Sequence, residues 1–192
     1  MSDAAERLVL TTQELLWERG YGGTSPRAIQ DRAGVGQGSM YHHFRSKADL
    51  ALAAEKRSTS ELIAEAERVM SGPEKPLERV VRYLRLERAV LKGCRIGMLT
   101  ADPDVIATEA LRAPLKEAFD ALTTRISALL REAQEAGQLD ASLDAHAIAT
   151  TTMAVRQGGY VLARAAGSTQ PYEEAIEGII SLIEARAIGA RD

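Results

Sequence analysis

Cysteine is all but missing from this 192-residue chain, where Cys94 stands alone. A single thiol excludes an intramolecular disulfide and a thiolate metal cluster. Histidine is also scarce, at three residues, two of them the adjacent His42 and His43. Neighbouring helical residues point about 100° apart, whereas a helical two-histidine metal site needs i and i+4, so no metal is expected. His146, alone near a helix start, reads as a surface residue. Aromatic residues make up only 4%. A core must therefore be built from Leu, Ile, Val, Ala and Met, a mixture that favours helices because Ala, Leu and Met lose little freedom there. No apolar run reaches the length of roughly 18 residues that a membrane span needs. Residues 1–7 carry acids and lack the apolar stretch of a secretory signal. The expectation is a cytoplasmic protein without membrane association. Glycine-rich phosphate loops and nucleophile–base pairings are missing too, so neither catalysis nor a cofactor is expected.

Charge is present, but its distribution matters more than its sum. The net value is −3, yet residues 24–47 hold Arg27, Arg32, Arg45 and Lys47 against one acid, Asp31. Phosphate contact needs local rather than global positive charge. The basic residues around Lys56-Arg57 and from Arg79 to Arg88 are interleaved with acids. They read as solvated helix faces with i,i+4 pairs.

The chain is punctuated throughout as helices. Residues 3–19 carry Leu8, Thr12, Leu15 and Leu16 on one face and stop at Gly20, suited to a C-terminal cap. Thr24, Ser25 and Pro26 open a second, short helix that ends at Gly34. A third runs over residues 37–43. Ser46 and Asp49 form a capping pattern that starts a long helix towards Met70, closed by Gly72-Pro73. Leu77, Val80, Val81, Leu84 and Leu91 predict an amphipathic helix of about 16 residues. Pro103 opens a short helix reaching Arg112, and Pro114 restarts the chain into a stripe from Leu115 to Ala133 that ends at Gly137. Residues 143–166 and 171–187 complete an all-α fold of about nine helices, with nothing patterned as a strand.

The informative stretch is residues 20–50. Two short helices flank Ala33-Gly34-Val35-Gly36, where Gly34 permits positive φ and Val35 can pack with Ile29 and Phe44. This is helix-turn-helix patterning, in which the second helix enters the major groove. That helix offers Gln37, Ser39, Tyr41 and His42 as outward polar groups able to meet bases or phosphates. The helix starts at Thr24/Ser25 and Ser46/Lys47 favour anions.

Gly20-Tyr21, Thr24, Ile29, Ala33-Gly34-Val35, Gly38-Ser39, Tyr41-His42-His43-Phe44, Ser46-Lys47 and Leu50 closely resemble, at fixed spacing, the N-terminal signature of the TetR family. The resemblance implies that Thr24, Ser25, Arg27, Tyr41 and Lys47 hold phosphates, that Gln37, Ser39 and His42 face bases, and that Phe44 is core. Three residues depart from the pattern. Gly36 replaces a capping Ser or Thr, so the recognition helix is expected to fray in the free protein. Gln30 replaces a small residue between the short helices, and Leu16 an aromatic one. The resemblance divides the chain into a DNA-binding domain over residues 1–47 and a ligand-binding and dimerisation domain over residues 48–192. It implies a homodimer on palindromic double-stranded operator DNA, released by a small-molecule effector.

Beyond that motif the signals are weaker. Gly93-Cys94-Arg95-Ile96-Gly97 is similar to a Gly-Cys-x-x-Gly element of some TetR-like repressors near the ligand pocket. Cys94 reads as a small packed residue; the alternative is a redox-sensing thiol activated by Arg95. Arg95, Met98, Thr100, Phe119, Thr152, Arg156, Gln157 and Tyr160 are the candidate pocket lining, against the alternative of ordinary core and surface. Long polar groups on an apolar helix, as at Arg156 and Gln157 beside Tyr160, need partners. Their ligand would be apolar or aromatic with acceptor or acidic groups. The resemblance also implies that the last two long helices pair with their copies in a four-helix bundle. Thr151, Val155, Gly159, Leu162, Ile176, Ile179, Ile180 and Ile183 are the candidate interface. An enzyme or carrier built on the helical C-terminal part, and a DNA-binding activator without a ligand, are the competing readings.

Overall fold

Helix starts in this chain are set by short oxygen-bearing side chains, and the computed structural model, which describes residues 2–86 and 88–188, shows several of them engaged. Ser2 caps α1 (Asp3–Arg19), its hydroxyl accepting from the Ala5 amide. Ser25 caps α2 (Pro26–Ala33) in the same way, and Gly34 closes it in the left-handed conformation at φ 61°. Gly36 precedes α3 (Gln37–His43) and offers no side-chain cap. Ser46 accepts from the Asp49 amide at 3.1 Å at the start of α4 (Lys47–Met70). Next come α5 (Pro76–Leu84), two 3-10 segments (Val90–Lys92 and Gly97–Ala101), and α6 (Pro103–Ala107), capped by Asp102. The chain continues through α7 (Glu109–Glu135), α8 (Ala145–Ala166), capped by Asp144, and α9 (Gln170–Glu184). The described residues thus hold nine α-helices and no strand; Leu139 and Ala187 form one isolated antiparallel bridge. No described helix is long and apolar enough to cross a membrane.

Three elements differ from the sequence expectation, one of them the short helix from Pro103, which ends at Ala107 rather than Arg112. The helix expected over residues 77–91 stops at Leu84, and no Gly or Pro marks the stop. The helix expected to restart at Pro114 instead begins at Glu109 and carries Pro114 inside it. Thr108 accepts from the amides of Leu111 and Arg112. Pro114 therefore sits near the helix start, where its missing N–H removes only one interior hydrogen bond.

The chain packs as two compact units, one of residues up to Leu62 with Cys94–Ala118, the other of Ile63–Gly93 with residues from Phe119 onward. In the first, α1 packs on α2 and α3, burying Leu8, Leu15, Leu16, Ile29, Val35 and Met40. Gln13 reaches Ser58 on α4 at 3.0 Å, and Arg57 pairs with both Glu6 and Glu61. Asp102 accepts from the Gly22 amide at 2.8 Å, tying the α1–α2 turn to the start of α6.

In the second unit α8 and α9 pack closely. Gly159 makes the approach possible, since a Cβ there would stand 3.0 Å from the Tyr172 ring. Ile176, Ile179, Ile180 and Ile183 are all buried within the protomer. The stripe expected at a dimer face is instead the inner face of α9, because a single helix pair needs that apolar surface for its own core. The partners of the arginines of residues 79–88 are not i,i+4 neighbours. Arg79 pairs with Glu132 on α7 at 2.6 Å, Arg82 donates to the Val69 and Ser71 carbonyls closing α4, Arg85 grips Glu177 on α9 and Arg88 meets Glu65 on α4 at 3.1 Å. Arginines recurring at every third position fan out to three other helices.

Candidate nucleic-acid interface and ligand cavity

The α2–α3 pair turns at Gly34, after which the Val35 amide donates to the Gln30 carbonyl. Met40 anchors α3: its side chain is fully buried, with Sδ 3.3 Å from the Gln30 amide nitrogen. Gln30, the bulky substitute at this contact, thus donates to the anchor of the neighbouring helix. With Met40 inward, Gln37, Tyr41 and His42 are exposed and Ser39 is half-buried. His43 turns the opposite way, to the Ser2 hydroxyl at 3.0 Å. Phe44, expected in the core, is only half-buried.

Around this face the expected phosphate ligands separate into two groups. Ser25 and Arg27 are exposed, Arg27 with a loose contact to Asp31 at 3.7 Å. Arg45, absent from the expected set, is exposed directly after α3. Thr24 is buried, its hydroxyl donating to the Gly20 carbonyl at 2.7 Å. Lys47 donates to the Tyr21 carbonyl at 2.7 Å with its ammonium 3.9 Å from the ring centroid. Burial lowers the Lys47 ammonium below its ordinary range, while Asp102 and Asp104 oppose that shift. Thr24 and Lys47 therefore brace the turn that presents α2 and α3. Glu55 lies fully buried on α4 in the same unit, and neither carboxylate oxygen meets a donor among the described residues. Burial, with the Asp102 charge adding to it, pushes this carboxyl up to about 8.

The eight candidate pocket residues are divided between the two units. Arg95, Met98 and Thr100 belong to the first unit. Arg95 stacks 4.7 Å from the Trp17 ring and pairs with Glu61, and the Thr100 hydroxyl donates to the Gly97 carbonyl. Cys94 is half-exposed. Phe119, Thr152, Arg156, Gln157 and Tyr160 belong to the second unit, Phe119 and Gln157 half-buried and Thr152 donating to the Ile148 carbonyl. Arg156 and Tyr160 are buried in one cluster with Tyr83, Tyr172 and Arg88. Burial pushes the Tyr160 phenol up. Beside the cluster is a cavity of about 310 Å³, lined among others by Leu84, Arg88, Val90, Tyr172 and Ile176. Its lining residues were missed, because the apolar period running on to Leu91 reads as one continuous helix and hides the break after Leu84.

The comparison with known proteins bears on both regions. The family described as "Bacterial regulatory proteins, tetR family" matches residues 8–54. "Tetracyclin repressor-like, C-terminal domain" matches residues 74–179. The transcriptional regulator AcuR of Cereibacter sphaeroides is 31% identical over 155 residues, covering 76% of this chain and 69% of AcuR. The transcriptional repressor NemR of Escherichia coli is 24% identical, covering 97% of this chain and 96% of NemR. A regulatory protein TetR from Rhodobacter sphaeroides has a similar structure, with a TM-score of 0.82 and 25% identity over 97% of this chain and 100% of that one. A TetR regulator from Chloroflexus aurantiacus shares the fold, with a TM-score of 0.88 and 24% identity over 96% of each chain. With both family matches falling on the helix-turn-helix and the helical remainder, the chain belongs to the TetR family of transcriptional regulators and carries its helix-turn-helix DNA-binding domain.

Proposed function

We propose that the chain is a ligand-responsive repressor, acting in the cytoplasm as a homodimer on a near-palindromic operator. Residues 1–47 serve as the DNA head and residues 48–192 as the ligand and dimerisation domain. The observation that carries the reading is the one-sided recognition helix: Met40 buried, Gln37, Tyr41 and His42 outward. Gln37, Ser39 and His42 read bases; Ser25, Arg27 and Tyr41, helped by the amides at the start of α2, hold phosphates. Thr24 and Lys47 contribute mainly by holding the Gly20-Tyr21 turn in place.

Dimerisation uses the outer faces of α8 and α9. Val161, Leu162 and Leu182 are 67%, 56% and 68% exposed there, an apolar surface that a lone protomer leaves in water. Thr151 and Val155 extend it along α8, while Gly159 and the four isoleucines stiffen it from behind. Two recognition helices about 34–36 Å apart would then meet successive turns of one DNA face. An effector that prefers another spacing by about 1–3 kcal/mol changes operator affinity some 5–150-fold. The helix α4, which starts beside the DNA head and ends in the second unit, is the natural lever.

The test is a pair of substitutions measured on a selected operator. Arg27→Ala should weaken binding to all sequences alike and lower the salt slope by about 1. Gln37→Ala should relax the preference at one base position, at a cost of about 1–3 kcal/mol. Unchanged affinity and preference in both Gln37→Ala and His42→Ala would overturn this assignment of the recognition face.

A further inference from the structure

The turn between α1 and α2 is held at three points. Within it the Thr24 hydroxyl donates to the Gly20 carbonyl at 2.7 Å. From the start of α4 the Lys47 ammonium donates to the Tyr21 carbonyl at 2.7 Å. The third hold comes from 80 residues along the chain, where Asp102 accepts from the Gly22 amide at 2.8 Å. Its other carboxylate oxygen accepts from the Asp104 amide at 3.1 Å and caps α6. One carboxylate thus serves two elements, through charge-assisted bonds that are stronger than neutral ones.

The turn matters because α2 starts from it. Ser25, directly after Thr24, caps α2 at the Ala28 amide at 3.1 Å, and the exposed Arg27 follows. The Gly22 bond also reaches beyond the head. Residues 94–118 pack in the first unit, yet the chain enters them from Gly93 and leaves them at Phe119, both in the second unit. Asp102 is therefore a point at which chain arriving from the second unit grips the turn that starts α2.

The charges around this grip are finely matched. Lys47 is the cation, and Asp102 and Asp104 both act on it. Burial raises the Tyr21 phenol, with Asp104, Glu55 and Asp102 adding to it. The 3-10 segment Gly97–Ala101 brings no titratable side chain. Glu55, fully buried on α4 without a donor among the described residues, is pushed up to about 8 by burial and then by the Asp102 charge. A charge on Glu55 would add a third acid to one lysine, and like charges at close quarters disfavour one another.

We propose that Asp102 is a positioning residue for DNA binding: its carboxylate latches the start of α2 to residues 94–118, and the latch holds while the buried Glu55 keeps its proton. Ionisation of Glu55 repels Asp102, opens the bond to Gly22 and frees the start of α2. The latch rests on the reading of residues 1–47 as the DNA head of a repressor.

The test is operator binding by the full chain at pH 7, 8 and 9, on proteins that circular dichroism shows to be folded, with amide exchange beside it. Asp102→Ala should weaken operator binding about fivefold or more, the low end of coupling between sites. Asp102→Asn keeps one accepting oxygen and drops the charge; it should bind more tightly than Asp102→Ala and lose less affinity than the parent as pH rises. The parent should lose affinity severalfold from pH 7 to 9, whereas Glu55→Gln should hold its own pH 7 value. Amide exchange reads the latch without DNA: Gly22 and the residues of α2 should exchange faster in Asp102→Ala, whereas a merely structural Asp102 would speed exchange throughout the first unit. Should Asp102→Ala fail to fold, the pH profiles of Asp102→Asn and Glu55→Gln carry the test. Parent-like operator binding by Asp102→Ala, unchanged exchange at Gly22, or parallel pH profiles in the parent and Glu55→Gln would overturn the proposal. A parent without operator preference, with Gly22 exchanging faster in Asp102→Ala, would instead overturn the repressor reading and keep the latch.

Discussion

At the scale of single residues, Glu55 is the least comfortable group in the first unit. It is fully buried, without a donor among the described residues, and desolvation raises its carboxyl to about 8 against an ordinary 4.5. The folded chain therefore keeps this proton across a pH range in which the unfolded chain has lost it. Between about pH 4.5 and 8 the native state binds more protons, so this residue's contribution to stability falls as pH rises, by on the order of a few kcal/mol over the window. Glu55→Gln removes the titration without changing shape. Urea unfolding at pH 5, 6, 7 and 8 should show the variant gaining on the parent as pH rises, with the largest advantage at pH 8. Parallel pH profiles for the two proteins would show that Glu55 is already solvated in the native state.

At the scale of elements, two glycines sit in opposite circumstances. Gly36 caps α3 with φ −68°, and a Cβ there would meet nothing within 4 Å. Gly36→Ser supplies the missing hydroxyl and should stabilise the helix by a few tenths of a kcal/mol, about the difference between Gly and Ser at an N-cap. Slower amide exchange in residues 37–43 and tighter operator binding are the expected readouts; unchanged exchange would mean that α3 does not fray. Gly159 is closed in by Tyr172. Gly159→Ala gains about 1 kcal/mol of helix propensity but loses about 1–3 to overpacking, for a net cost of roughly 1 kcal/mol in thermal or urea unfolding. A variant more stable than the parent would mean that α8 and α9 part easily. Caps and turns of this kind were legible in the sequence, because each depends on residues within a few positions of one another. What was not legible depends on partners far along the chain. The arginines at 79, 82, 85 and 88 read locally as a solvated face, yet their partners lie on α4, α7 and α9. The isoleucines of α9 read as an interface because no local rule says whether an apolar stripe meets its own chain or a copy. In the DNA head Gln37, Tyr41 and His42 are exposed on α3 as expected, while Ser39, expected with them, is half-buried. The inward commitments of Thr24 and Lys47 were not legible, since both depend on the Gly20-Tyr21 carbonyls lying within reach.

At the scale of the whole molecule, reading a palindromic operator requires two copies of the chain. Leu162 and Leu182 are exposed apolar residues on the outer faces of α8 and α9, so placing charge there should leave the protomer fold intact while disfavouring association. Leu162→Glu combined with Leu182→Glu is expected to sediment as a folded monomer and to lose most of its operator affinity, because one recognition helix alone forfeits half of the contacts. A double variant that remains dimeric would move the interface elsewhere. The most direct measurement of the central claim is selection of genomic DNA fragments by the purified chain, repeated over a salt series. A dimeric repressor should select one palindromic motif, with half-sites about one helical turn apart and affinity falling steeply as salt rises. Binding without a motif, or to a single unrepeated half-site, would contradict it.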